Sequence, residues 1–405
     1  MKKAPLNVFA GDRIVGQIAR SDVEEDGLLF TYRAGCPAAL AVSLTMPVRT
    51  DPYGSMSGLL PIFDMNLPEG ALREQLRIQF AKTIPGFDDL DLLQIVGSSQ
   101  IGRLRFSIEE KPDAVGTGED LRQILTYKGS KDLFAELLQR YATSSGVSGV
   151  QPKVLIRDRG ADSAMDRLTH RGATHIVKSF DAATYPELAA NEFLCLQGAM
   201  SCGIECARAR LSDNRRLLVL DRFDLTPEGY LGTEDFCVLN ALRAASRYEG
   251  SYEDIARRLN EFLSPQHLSH GLEQFALQVA FSCTIGNGDA HLKNFSVLYR
   301  DADSEVSLAP AYDLVSTVPY FPKDTLALTM DDSKDFPARQ RLLKFIRKVT
   351  GKSPAAAAKV LEQARKGAAA TVKGAQRYAA ENRDAERFAR SLTTVVKQGM
   401  ERLGR

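Results

Sequence analysis

The apolar positions of this chain change their period along its length. Over residues 1–105 they come in short runs broken by turn formers, Pro52-Tyr-Gly-Ser and Pro85-Gly-Phe-Asp. That pattern predicts short strands, with one helix near Glu69 to Ala81. Over residues 106–236 it is mixed. His175-Ile-Val-Lys178-Ser-Phe alternates like a strand, and Leu217-Leu-Val-Leu-Asp221 reads as a buried strand ending in polar residues. Between them, Pro-Glu187-Leu-Ala-Ala-Asn191-Glu192-Phe reads as a helix. Glu109 to Asp120 reads as a solvated connector, and Arg159 to Arg171 as a polar insertion between strands. From about residue 237 onward the period is helical. It is interrupted by a polar loop between the apolar run Phe275 to Ile285 and the strand-like Phe295-Ser-Val-Leu-Tyr, and again at Val318-Pro-Tyr-Phe-Pro. The expected organisation is therefore a β-rich 1–105, a mixed α/β lobe over 106–236 and a helical lobe over 237–405.

Composition agrees with a chain that folds into several cores. Its 405 residues exceed the usual single-domain size, and 44% of them are hydrophobic. No run of about 18 apolar residues occurs, so no membrane helix is expected. At the N-terminus, Asp12 and Arg13 arrive too soon for a signal peptide. Six cysteines form no C-x-x-C pair, and the simplest reading is reduced thiols in a cytoplasm. Cys195, Cys202 and Cys206 have helical spacing and are expected on a buried helix face. His267 and His270 read as helix surface. Net charge is +1, yet residues 334–405 carry about 18 Lys and Arg against about 6 Asp and Glu. Solvated helix faces account for this most simply; an acidic partner or nucleic acid is the sharper alternative. Within that region Ser353 is a candidate N-cap, with Pro354 at the first helical position.

The polar loop carries the chemistry. Ile285-Gly-Asn-Gly-Asp289-Ala-His291-Leu292-Lys293-Asn294 places a carboxylate and, five residues on, a carboxamide. A second carboxylate follows in Pro-Ala-Tyr312-Asp313-Leu. Phosphoryl transfer from ATP uses such a set: one Asp orients a hydroxyl and accepts its proton, while an Asn and another Asp hold magnesium against the phosphates. Asp289 and Asn294 have the D-x-x-x-x-N spacing of a kinase catalytic loop. Asn-Gly-Asp also reads as a plain turn. The flanks favour function, because a polar loop between a buried helix and a buried strand sits on a rigid frame.

Upstream, Ser144-Ser145-Gly146-Val-Ser148-Gly149-Val150-Gln151-Pro152-Lys153 is a small-residue loop running into a strand. It can be a linker, or an anion-binding concavity of successive N–H groups. It is not a Walker A loop. Lys178, on the following strand, stands where kinases keep the lysine that pairs the nucleotide phosphates. Glu187 or Glu192 could hold that lysine. Asp221-Arg222-Phe223-Asp224 is a plausible hinge that touches adenine through backbone groups.

In this order S-G-V-Q-P-K, V-K-S-F, the N-E-F helix, L-D-R-F-D, G-N-G-D-A-H-L-K-N-F-S and P-A-Y-D-L resemble the HipA family of serine/threonine kinase toxins, and residues 6–18 and 28–32 resemble its β-rich N-terminal domain. The resemblance implies a bilobal protein-kinase-like fold of the α+β class, with ATP and Mg2+ as cofactors. Residue by residue, it implies Asp289 as catalytic base and Asn294 and Asp313 as magnesium ligands. It implies Lys178 on the α- and β-phosphates, Ser148 to Lys153 as phosphate loop, and Asp221, Arg222 and Phe223 as hinge. His291, Leu292, Lys293 and Tyr312 would complete the nucleotide site. Implied partners are a HipB-like helix-turn-helix antitoxin, operator DNA through that complex, and an aminoacyl-tRNA synthetase as substrate. Some relatives autophosphorylate a serine two positions before the equivalent of Ser148; here Gly146 stands there, so Ser148 is the expected autophosphorylation site, with Ser145 second. A small-molecule kinase and a silent kinase-like binding module are the rival classes.

Overall fold

The computed structural model describes residues 4–22, 27–81, 84, 86–110, 118–128, 132–147, 151–158 and 173–404. Two compact units emerge. One comprises Met1–Ser179, Ser212–Ala245 and Leu298–Glu305; the other comprises Phe180–Leu211, Ser246–Val297 and Val306–Arg405. The class is α+β, with sheets toward the N-terminus and helices toward the C-terminus.

The first unit opens with the strands β1 (Leu6–Ala10), β2 (Arg13–Arg20), β3 (Leu28–Tyr32), β4 (Tyr53–Ser55) and β5 (Leu104–Ser107). They form one antiparallel sheet in the order β4-β3-β2-β1-β5. All five residues of β1 are buried, as befits a central strand. Phe30 anchors the core through edge contacts with Tyr32 at 4.7 Å and Phe63 at 5.2 Å. Helices Gly70–Phe80 and Asp89–Val96 add Leu72, Leu76, Leu90, Leu93 and Val96 to that core. The second starts at a reciprocal cap: Asp88 accepts from the Leu90 and Asp91 N–H groups, and Asp91 returns the bond to the Asp88 N–H. The helix expected near Glu69 to Ala81 is thus present.

The same unit holds β6 (Lys153–Ile156) and β7 (His175–Ser179), antiparallel to each other, with β7 also antiparallel to the strand Leu217–Asp221. Val154, Ile156, Val177, Leu217 and Val219 lie in one apolar cluster with Leu121, Ile124, Phe134, Leu137 and Tyr141. Burial of each such side chain contributes about 1.5–3 kcal/mol. Alternation then turns Lys153 and Lys178 to the opposite face.

A buried carboxylate ties residues 1–107 to the strand Gly232–Asp235. Glu234 is fully buried and accepts from Ser43 Oγ at 2.7 Å, from the Leu44 N–H at 2.8 Å, and from Tyr299 Oη. Burial pushes its carboxyl above the ordinary value, against the three donors that stabilise the anion.

The second unit is helical. Helix Pro354–Glu381, rich in alanine, packs against Leu188–Ser201, Pro265–Ile285 and Glu386–Arg402. Ala357, Ala364, Ala368 and Ala375 are fully buried along it. Close approach demands small residues: a Cβ on Gly198 would lie 1.9 Å from Thr371 Oγ1, and one on Gly367 would lie 2.6 Å from Cys202 Sγ. The expected cap is present, with Ser353 Oγ accepting from the Ala356 N–H and Pro354 in the first turn. The cysteine expectation needs correction. Cys195 is buried in helix Leu188–Ser201, but that helix ends before Cys202, and Cys206 lies beyond it in a bridge to Ala311. All six cysteines are free thiols. No helix among the described residues is long and apolar enough to cross a membrane.

Glu234→Ala strands three donors in a dry site, so it should cost about 2–4 kcal/mol, whereas Glu234→Gln, which keeps an acceptor there, should cost under half as much. Denaturant midpoints of the two variants check this; equal midpoints would mean the buried carboxyl does not hold the fold together.

Candidate active site

The helix Pro265–Ile285 runs buried from Phe275 onward and stops at Gly286, whose φ of 68° is left-handed and closes a bond back to Ser282. Gly286 also faces Val395 and Val318, so glycine is required there for conformation and space alike. The chain then folds on itself. The Asp289 N–H donates to Asn287 Oδ1 at 3.0 Å, and the His291 N–H to the Asp289 carbonyl at 2.8 Å. Asn294 Nδ2 donates to the same carbonyl at 2.7 Å. That bond fixes the amide, leaving Oδ1 as its acceptor face. The expected Asn-Gly-Asp turn is present, and it presents the Asp289 carboxylate.

The segment 311–317 is stitched alongside. Tyr312 Oη bonds to the Lys293 carbonyl at 2.8 Å and to Ser296 Oγ. Ser316 Oγ donates to the Ile285 carbonyl at 2.5 Å, and the Thr317 N–H to the Gly286 carbonyl at 2.9 Å. Thr317 Oγ1 accepts from the Gly288 N–H at 2.8 Å and donates to Asp324. Asn191, fully buried in helix Leu188–Ser201, grips Ser316 from both sides, through its Nδ2 at 2.8 Å and its Oδ1 at 3.1 Å. Between these anchors sits Asp313, held at φ 52°, a left-handed conformation that Asp tolerates and that recurs at functional sites.

Electrostatics follow from the geometry. Burial raises the Asp289 carboxyl to about 6 despite a bond from Tyr248; Asp313 and Asp324 raise it further and Arg247 opposes them. Burial lowers His291 to about 4, with Arg247 and Lys293 adding and Asp313 opposing, so its ring is neutral at physiological pH. Oxygen donors at Asn294 and Asp313 beside this acidic group fit a hard divalent cation. Among the described residues no three His, Cys, Asp or Glu side chains gather as a metal cluster. A magnesium site needs none, because one or two protein ligands are completed by phosphate and water.

The other expected residues lie in the first unit. Lys153 and Lys178 face each other across β6 and β7, both buried. Pro152 accepts from the Ser179 N–H at 2.9 Å, and Gln151 is half-buried. Asp221 lies 3.2 Å from His175, and Phe223 is half-buried. The Arg222 guanidinium is buried, bonding Asp224 and the Gln100 and Ala173 carbonyls, so its side chain braces this segment while its backbone carries the expected hinge. The Ser145 hydroxyl is fully buried, donating to the Tyr141 carbonyl and accepting from the Leu155 N–H. Ser148, Gly149 and Val150 lie outside the described residues, as does the insertion over 159–171.

Sequence reasoning missed Tyr248, Thr317 and Asp324, which touch or brace the Asp289 loop, and it gave Asn191 no role. Only Asn191 carried a signal, a carboxamide inside an otherwise apolar helix.

Residues 145–372 match the HipA-like C-terminal domain and residues 6–107 the HipA N-terminal domain. Two proteins of Sinorhizobium fredii are similar, each named "Putative kinase": Y4dM at 30% identity over 69% of this chain and 67% of its own, and Y4mE at 27% over 78% of each. The fold is similar to that of HipA from Shewanella oneidensis MR-1, solved with HipB and operator DNA, at a TM-score of 0.68 and 19% identity over 98% of this chain and 97% of that one. The chain belongs to the HipA family.

Gly146 lies two residues before the expected phosphate loop, and a Cβ there would lie 1.8 Å from Gln100 Nε2 and 2.7 Å from the Ser99 carbonyl. Gly146→Ser should therefore destabilise the first unit by about 1–3 kcal/mol. Thermal melting checks it; an unchanged transition would contradict the packing.

Proposed function

We propose that this chain is an ATP-dependent serine/threonine protein kinase toxin that phosphorylates an aminoacyl-tRNA synthetase and so arrests translation in the cytoplasm. The observation that carries the reading is the single stitched cluster of Asp289, Asn294 and Asp313. Membership of the HipA family and the kinase names of the Sinorhizobium relatives support it. Lys153 and Lys178 neutralise phosphate charge, the 221–223 backbone meets the adenine, and Tyr312 fixes the spacing between the Asn294 and Asp313 motifs. Asp289 receives the acceptor's proton as the γ-phosphoryl passes in line. Mg2+, when bound by Asn294 and Asp313, supplies charge neutralisation at the phosphates. Self-phosphorylation falls on Ser148, where a phosphate adding about −1.5 to −2 charge competes with ATP for the same N–H groups. The partner is a HipB-like antitoxin, through which the complex meets operator DNA, by analogy with the Shewanella assembly.

Asp289→Asn should abolish transfer with melting unchanged, and Asp313→Asn should raise the KM for magnesium-ATP at least tenfold. Phosphoproteomics of cells expressing the native chain against Asp289→Asn tests the substrate class. Synthetase sites equal in both would dismiss it.

The acid limb of the rate profile is a separate check. Transfer needs Asp289 as the carboxylate, and a group raised to about 6 gains its proton as pH drops through 6. The rate should halve near pH 6 and fall about tenfold per unit below it. His291, neutral down to about 4, does not set that limb. A rate constant down to roughly pH 4.5 would rule out Asp289 as the group responsible.

A further inference from the structure

A hydroxyl already sits on the carboxylate that the kinase reading makes the base. Tyr248 Oη donates to Asp289 Oδ1 at 2.8 Å. Its ring stands edge-on to His291 at 5.1 Å, and the preceding residue is fixed, its carbonyl accepting from the Leu292 N–H at 3.1 Å. Yet Tyr248 is 48% exposed, an unusual state for a large aromatic side chain tied to a half-buried carboxylate.

We propose that Tyr248 is a resident stand-in for the acceptor: its hydroxyl occupies, at Asp289, the place that the substrate serine hydroxyl must take, and it has to be displaced before transfer. This rests on the kinase reading. In the transfer, the acceptor oxygen bonds to the γ-phosphorus, the bond from that phosphorus to the ADP oxygen breaks, and the acceptor's proton passes to Asp289. A carboxylate oxygen can accept a second bond, so the obstruction is one of place: while Tyr248 Oη lies on Oδ1, an incoming hydroxyl competes with it for that position. The backbone anchor holds the tyrosine close, and its exposed ring can swing out without opening a core. Tyr248 is therefore a positioning residue with two effects. It raises the acceptor concentration needed, and it keeps water from the base when no acceptor is present.

Tyr248→Phe keeps the ring against His291 and removes only the hydroxyl. The probes are magnesium-ATP alone, read as ADP released to water, and dephosphorylated casein as a generic serine acceptor. The KM for casein should fall roughly two- to tenfold, the factor one hydrogen bond supplies, with kcat and the KM for ATP unchanged. ADP release without casein should rise by a similar factor. Melting should match the native protein, because the side chain is half-exposed. A lowered kcat with an unchanged casein KM would mean that the hydroxyl orients the base, and would overturn the proposal. Unchanged kinetics throughout would overturn it as well. ATP turnover absent from the native protein as well as the variant would instead defeat the kinase reading and this inference with it.

Discussion

Three carboxylates, Asp289, Asp313 and Asp324, crowd one loop, and their mutual repulsion in a partly dry site opposes folding. What holds them is backbone. Ser316 Oγ on the Ile285 carbonyl, the Thr317 N–H on the Gly286 carbonyl and Tyr312 Oη on the Lys293 carbonyl fasten the second motif to the first. Each bond contributes about 0.5–1.5 kcal/mol net. The set works because the helix beneath is buried from Phe275 to Ile285 and does not yield. Burial first, and the neighbouring Asp313 and Asp324 after it, raise the Asp289 carboxyl so that it takes a proton near neutrality.

The first unit poses the complementary problem. Lys153 and Lys178 sit opposite one another on adjacent strands. Their strands tolerate this because the other face, Val154, Ile156, Val177 and Val219, is well packed.

What could be read from the chain follows from where period and motif coincide. The helix before the loop, the strand after it, the lysine strand and the Ser353 cap all have local signatures, and all are present. So do Asp289, Asn294 and Asp313, whose roles depend on spacing. Tyr248 had no signature, because its meaning comes from a contact across 41 residues. Thr317 and Asp324 are ordinary polar residues in a Pro-rich stretch, and only the fold brings them under Gly288. The cysteine spacing misled for a related reason: three thiols at helical intervals say nothing about where the helix stops. Arg222, beside Asp221, gives no sign in the sequence that its guanidinium is buried against Asp224.

That burial has a mechanical consequence. Arg222 and Arg105 both stack on the Tyr230 ring, at 4.4 and 4.5 Å, with Asp224 as the near counter-charge. Asp224 Oδ2 also accepts from the Gly102 N–H at 2.7 Å, and Arg222 Nη2 donates to the Gln100 carbonyl at 2.8 Å. Residues 100–105 close the N-terminal sheet, whereas 221–224 end the strand that would meet the nucleotide. Two guanidiniums and one carboxylate buried together cannot slide past one another without exposing an unpaired charge, which is strongly destabilising. The N-terminal domain is consequently not a loosely tethered appendage of this unit.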